Sequence, residues 1–76
     1  LEEWRSTLDI NLGTAFNVTK AAVKVMRSTG GGSIVLVSTG ATHIGLANHE
    51  AISAAKAGVE GLCLAVSASY ARSGIR

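Results

Sequence analysis

The chain has 76 residues, of which 47% are apolar and 16% charged, and it contains no proline. One cysteine excludes a disulfide framework, and two histidines leave no convincing ligand set for a metal site. A net charge of +2 from scattered residues, together with only three aromatic side chains, argues against nucleic-acid binding.

Membrane and export signals are also missing from the pattern. No apolar run approaches the roughly 20 residues that span a bilayer, and no signal peptide opens the chain. The sequence therefore predicts a cytoplasmic protein without a membrane partner. The low charge, the lack of proline and a first residue, Leu1, that is not methionine predict an interior piece of a larger domain.

The segment from Leu1 to about Ser28 has the apolar periodicity of a helix. Residues that recur three or four positions apart define one face, which is apolar except for one threonine: Trp4, Leu8, Leu12, Phe16, Thr19, Val23 and Met26. A second apolar face predicts burial on two sides. Gly13 weakens the middle of this helix and predicts a joint between a short helix and a longer one.

A turn and a strand are predicted next. The glycines at 30–32 end the helix, because glycine tolerates positive φ and stops helix propagation. Ile34–Val37 are four consecutive apolar residues, a pattern typical of a strand buried on both faces of a parallel sheet. Residues 40–48 lack periodicity and predict a loop.

A second helix is predicted from Asn48 or His49 to about Arg72, with Asn48 the better N-cap by its chemistry. It has a bulky stripe, on which Cys63 is predicted to be a core residue, and a stripe of small residues. Gly74 predicts the helix end, and Ile75 the start of another strand. This order of elements predicts an α/β fold with a parallel sheet whose other strands lie outside the chain.

In open α/β sheets, ligands bind beyond the carboxyl ends of the strands. Thr39 stands at that point, and the start of the second helix lies nearby. Lys56, which sits among alanines, can hold its charge against the hydroxyls or phosphates of a ligand. The alternative is an ordinary ion pair with Glu60, one helical turn further on.

Four segments resemble the short-chain dehydrogenase/reductase family, in order and at the family's spacing. WRSTLDINLGTAF resembles the segment before the catalytic strand, and GSIVLVSTG resembles that strand with its serine turn. AAKAGVEGL resembles the helix with the YxxxK lysine, and YARSGIR resembles the end of that helix. The resemblance implies a doubly wound, Rossmann-type parallel sheet, of which residues 1–76 are a helix-strand-helix fragment. They would be the interior of one NAD(P)-binding domain, without its glycine-rich cofactor loop and its C-terminal strands.

The resemblance also implies roles for single residues. Asn11 matches the asparagine that orders a water-linked proton path, close to the cofactor. Thr39 matches the catalytic serine, whose hydroxyl holds the substrate carbonyl. Lys56 matches the lysine that binds the nicotinamide ribose and lowers the pKa of the catalytic tyrosine, because a nearby positive charge favours the phenolate.

The tyrosine position itself is occupied by Ile52, which can neither donate nor accept a proton. Tyr70 cannot replace it, because about 21 Å of helix separate it from Lys56. His49 is a candidate acid/base on roughly the same helix face as Ile52, and its alternative is a solvent-facing histidine at a helix start.

The resemblance implies a parent enzyme that transfers hydride between NAD or NADP and a small alcohol or ketone. The isolated 76 residues are expected to be inactive. Two alternatives stay open. The first is a catalytically inactive relative, which the isoleucine at position 52 favours. The second is a helix-pairing module. In the family, the two helices matched here commonly form a homo-oligomer interface.

Overall fold

The computed structural model describes residues 1–76, and helices dominate it. A continuous helical rod consists of α1 (Glu2–Leu8), a π-helical segment (Asp9–Gly13) and α2 (Thr14–Thr29). The second long helix is α3 (Glu50–Tyr70). Short 3₁₀ turns at Gly40–Thr42 and Ala71–Ser73 flank it in the chain.

The first helix is present over nearly the range that its periodicity predicts. The predicted joint near Gly13 is a change of helix type rather than a break, since the π-helical segment ends at that residue. Asn11 lies inside this segment, and its Nδ2 donates to the Thr7 carbonyl at 3.0 Å. π-helical turns inside α-helices often mark functional positions.

The glycine turn ends α2 as predicted. Gly30 has φ of 93°, and the Gly31 amide donates to the Met26 carbonyl at 2.8 Å, which are the features of a left-handed helix cap. A Cβ on Gly31 would lie 2.6 Å from the Gly74 carbonyl oxygen. The turn therefore has to be glycine, because the C-terminal end of the chain lies directly against it.

The predicted helix-strand-helix piece of a doubly wound, Rossmann-type sheet is wrong for this structure. The only β-pairing is one isolated parallel bridge between Gly32 and Ile75. Ile34 adds a hydrogen bond from its amide to the Arg76 carbonyl at 2.7 Å, and Arg76 in turn donates to Gly32. Residues 35–39 are extended but unpaired, because a parallel strand needs neighbouring strands on which to build its ladder.

Burial alternates along this extended segment, which also contradicts a strand covered on both faces. Ile34 and Leu36 are partly buried, whereas Val35 and Val37 are 84% and 71% exposed. A period of two is the pattern of a segment with one covered face. Here that face lies towards the helices.

The start of α3 agrees with one of the two alternatives that the sequence left open. His49 is the residue that precedes the helix, and Asn48, the chemically better cap, has φ of 62°. Asparagine tolerates this left-handed conformation better than most residues. Cys63 is exposed, so the prediction that it is a core residue is also wrong.

The core is small and centres on α3. The buried residues, with Ala55 and Val59 of α3 among the most enclosed, are Thr19, Val23, Ala41, Ala55, Val59 and Ile75. Leu12 of the π-helical segment packs on Gly58, where an added Cβ would lie 2.8 Å from a Leu12 methyl carbon. The small-residue stripe thus lets the first helical rod approach α3 closely.

Residues 50–73 form a helical stretch that is long and apolar enough to cross a membrane by length and composition alone. This differs from the prediction that no such segment exists. The core helix of a soluble protein meets the same criteria. Lys56 and Glu60, near the middle of the stretch, bind polar groups of the preceding segment, which favours a packed helix because charges inside a bilayer are costly.

Candidate active site

The middle of α3 holds the end of the extended segment through two charged side chains. Lys56 is half-buried, and its Nζ donates to the Val37 carbonyl at 3.1 Å. One helical turn later, Glu60 contacts the turn that follows. Lys56 and Glu60 form no ion pair with each other, so the ordinary pairing considered for them is absent.

Glu60 gathers three side chains from the segment around Thr39. Its Oε2 accepts from the Ser38 hydroxyl at 2.5 Å and from the Thr42 hydroxyl at 2.7 Å. Its Oε1 lies 3.3 Å from Nε2 of His43, a side chain that is itself 76% exposed. We call Ser38, Thr42, His43 and Glu60 the carboxylate cluster.

The pKa of Glu60 is lowered from its ordinary value of 4.5. The main cause is the hydrogen bond from Ser38, followed by that from Thr42, and the nearby His43 adds to both. Hydrogen bonds to the ionised form favour it, and here they outweigh the opposing effect of desolvation. Glu60 is therefore a carboxylate at neutral pH and acts only as an acceptor.

Thr39 lies between the two residues whose hydroxyls bind Glu60. It has an extended backbone, with φ of −143° and ψ of 150°, and it caps the 3₁₀ turn at Gly40–Thr42. Its Oγ1 accepts from the Ala41 amide at 3.3 Å. A threonine hydroxyl has one proton to donate besides its acceptor sites, so this contact leaves the proton free.

The structure brings some of the predicted site residues together. Thr39 and Lys56 share one neighbourhood, because Lys56 binds the backbone two residues before Thr39. Asn11 lies in the π-helical segment, which packs on α3 through Leu12 and Gly58. No direct hydrogen bond joins the side chains of Asn11, Thr39 and Lys56.

His49 lies apart from these three, at the beginning of α3. Its Nδ1 is 2.8 Å from the Ala47 carbonyl oxygen, and its side chain is exposed. A carbonyl can only accept, so this contact places the ring proton on Nδ1 and leaves Nε2 open. No hydrogen bond connects His49 with Thr39 or Lys56.

Ile52 borders an open cleft of about 300 Å³ between the first helix and the start of α3. Trp4 and Thr7 line the opposite side. The position where the family's pattern has a tyrosine therefore faces a space large enough for a small ligand, but with an apolar side chain.

Sequence reasoning missed the carboxylate cluster. It treated Glu60 only as a partner for Lys56, whereas its partners lie 18 and 22 residues away in the chain. The available signal was a group of hydroxyl residues around the predicted strand end, Ser38, Thr39 and Thr42, together with a carboxylate at Glu60, inside the second helix.

The comparison with known proteins agrees with the resemblance found in the sequence. A family model described as Enoyl-(Acyl carrier protein) reductase matches residues 1–76. The chain belongs to the short-chain dehydrogenase/reductase family. The matches of Lys56 to the lysine of the YxxxK pattern and of Ile52 to its tyrosine stay predictions from the sequence.

Individual relatives match almost the whole chain. It is 36% identical to the 2,3-dihydro-2,3-dihydroxybenzoate dehydrogenase of Escherichia coli, over 99% of this chain and 30% of the relative. It is 38% identical to the D-threitol dehydrogenase of Mycolicibacterium smegmatis, over 100% of this chain and 29% of the relative. It is 40% identical to the cyclohexanol dehydrogenase of Acinetobacter, over 100% of this chain and 30% of the relative.

This short-chain dehydrogenase/reductase chain thus spans about three tenths of the length of these relatives. No solved structure matches it significantly.

Proposed function

We propose that the whole protein containing these residues transfers hydride between NAD or NADP and a small alcohol or ketone. Membership of the family and the names of the relatives, which include a D-threitol and a cyclohexanol dehydrogenase, support this. The observation that carries the proposal is the pairing of a free hydroxyl proton on Thr39 with Lys56 beside it.

Lys56 has the chemistry to hold the cofactor ribose. An ammonium group has three donors, and one of them is used on the Val37 carbonyl. Two donors remain for ribose hydroxyls, so the residue present fits the group. When bound, the nicotinamide supplies the hydride acceptor or donor. Asn11 would lie on the cofactor side of the site and support a water path.

Thr39 orients the substrate. Its Oγ1 accepts from the Ala41 amide, and this contact leaves its proton available to a carbonyl oxygen. A donor that is fixed before the reaction stabilises the negative charge that develops on this oxygen. Threonine retains the hydroxyl of the family's serine, so the role survives the substitution.

The proton transfer has no tyrosine to perform it. His49 is our candidate for the acid/base, since its Nε2 is open and its position precedes Ile52 by one helical turn. Replacing His49 with alanine in the whole protein should lower kcat and change its pH profile. An unchanged kcat would remove His49 from the mechanism.

The turnover of Thr39 variants tests the proposal as a whole. We expect Thr39→Ala to lower kcat by about 100-fold, the typical loss for one donor to a developing oxyanion, and Thr39→Ser to retain most of it. Equal activity of the alanine variant and the parent would contradict the role of Thr39. If the parent turns over NAD(P) with none of the small alcohols or ketones, the proposed dehydrogenase activity is contradicted.

An inactive relative is the second candidate function, because Ile52 cannot transfer a proton. Such a protein keeps its nucleotide affinity without turnover. A homo-oligomer through the two helices is compatible with either function. Exposed apolar side chains on α2 and α3 support this partner surface: Phe16, Val18, Val25 and Leu64. Sedimentation of the whole protein tests it, and a monomer would exclude it.

A further inference from the structure

The turn that carries Thr39 is fastened to α3 on both sides of this residue. Ser38 precedes Thr39, Thr42 follows it, and both hydroxyls lie within hydrogen-bond distance of the same carboxylate oxygen of Glu60. The Thr42 hydroxyl oxygen also lies 3.0 Å from the Thr39 carbonyl oxygen. The Thr42 amide donates to the same carbonyl at 3.2 Å. The backbone of Thr39 is thus enclosed between two anchored residues, while Glu60 does not touch Thr39 itself.

A carboxylate suits this task for a physical reason. An ionised Glu60 has no proton to donate and several acceptor sites, so one side chain satisfies two hydroxyls at once. Hydrogen bonds to a charged acceptor are stronger than those between neutral groups. Without Glu60, the Ser38 hydroxyl would keep the Lys56 carbonyl at 3.4 Å and the Thr42 hydroxyl the Thr39 carbonyl at 3.0 Å, but no protein group would join the two residues.

We propose that Glu60 is a positioning residue that fixes the Thr39 hydroxyl through Ser38 and Thr42. This inference rests on the proposed function, in which Thr39 orients the substrate carbonyl. Lys56 is anchored separately, on the Val37 carbonyl. Loss of Glu60 therefore disturbs the placement of the substrate and leaves the contact with the cofactor in place.

The experiment compares three variants of the whole protein. Glu60→Ala removes the acceptor, and Glu60→Gln keeps a carbonyl oxygen that both hydroxyls can reach. Glu2→Ala removes an exposed carboxylate in the first turn of α1 and is the matched control. The first readout is amide hydrogen exchange at residues 41–44, which reports on the turn whether or not the protein is active. The second is kcat, with the Kd for NAD(P) measured separately.

We expect Glu60→Ala to accelerate amide exchange in this turn by about tenfold. It should also lower kcat by about 10- to 100-fold, since a displacement of about 1 Å can cost that much, with the Kd for NAD(P) unchanged. Glu60→Gln should restore most of both, and Glu2→Ala should change neither. If Glu60 were needed only for folding, its replacement would instead weaken cofactor binding and accelerate amide exchange along the whole chain.

Unchanged exchange in Glu60→Ala would overturn the proposal, and so would faster exchange with an unchanged kcat. If the parent has no turnover, the proposed function fails, and the exchange alone decides whether Glu60 holds the turn. If Glu60→Ala does not fold, Ser38→Ala and Thr42→Val each remove one of the two bonds. Each should then lower kcat by about threefold, and no loss in either would overturn the proposal.

Discussion

The middle of α3 and its beginning are built in different ways. Around Lys56 and Glu60, charged side chains bind backbone and hydroxyl groups of the preceding segment. Around His49 and Ile52, the helix starts without a side-chain cap and borders an open cleft with an apolar residue.

Under the proposed function, this difference would separate two tasks of a dehydrogenase. The middle of the helix has the donors and anchors to which we assign the cofactor and the substrate carbonyl. The beginning, where the family's pattern has its proton-transferring tyrosine, has no such group at Ile52. We therefore expect the whole protein to retain binding and positioning more fully than proton transfer.

The largest expected effect concerns Lys56. Lys56→Ala in the whole protein removes the charge that we assign to the cofactor ribose and the bond to Val37, so we expect kcat/KM to fall by at least about 100-fold. Lys24→Ala, an exposed lysine of α2, is the control. Turnover and NAD(P) affinity are the measurements. A variant with the affinity of the parent would contradict our view of the middle of α3.

Ile52→Tyr should produce the next largest effect, in the opposite direction. A phenol at this position restores a proton donor one turn before Lys56, and general acid/base catalysis typically contributes about 10²–10⁴-fold. We expect kcat to rise by at least about tenfold. Ile52→Phe supplies the same ring without the hydroxyl and should give no gain. Equal kcat for both variants would mean that another group already performs the proton transfer.

Alanine substitutions at Gly58 and Gly61 of α3 should affect stability differently. Gly61 has no neighbour within 4 Å of an added Cβ, so Gly61→Ala should raise the free energy of unfolding by about 0.5–1 kcal/mol. Gly58→Ala should give no such gain, because its Cβ meets Leu12 and forces that side chain to shift. Denaturant titration of both variants measures this. A loss with Gly61→Ala would reveal another surface packed on that face.

The smallest expected effect is a dependence of the chain's stability on acidic pH. Because the pKa of Glu60 is lowered in the folded chain, its contribution to stability is present above the unfolded value of 4.5. It is lost as the pH falls through the lower folded value. We expect the parent to lose more stability than Glu60→Gln as the pH falls below 4.5. Parallel pH profiles in denaturant titrations would show that the cluster contributes nothing.

Local patterns predicted much of the helical structure. Periodicity located both long helices, since Leu1 to about Ser28 compares with Glu2–Thr29, and the helix to about Arg72 compares with Glu50–Tyr70. The glycine turn followed from the freedom of glycine in φ. These features depend on residues within a few positions of one another, which a sequence displays directly.

The strand and the carboxylate cluster depend on distant groups. Ile34–Val37 have the composition of a buried strand, but a strand forms only by pairing with a neighbour. Among these four residues, only Ile34 has a backbone partner in another segment, which is Arg76. Glu60 was matched with the nearest opposite charge, Lys56, although a carbonyl and two hydroxyls far along the chain bind these side chains instead. Thr39, Lys56 and Asn11 were named from the family's pattern, and their roles stay predictions.

The parallel bridge between Gly32 and Ile75 has a consequence for the order of folding. It closes a loop of roughly forty residues, which includes Thr39, Lys56 and Glu60. Helical segments form within about a microsecond, whereas contacts across a long loop wait for its ends to meet. We therefore expect the two helices to form before Gly32 and Ile75 meet, and the shorter loop between Ser38 and Glu60 to close before the bridge does.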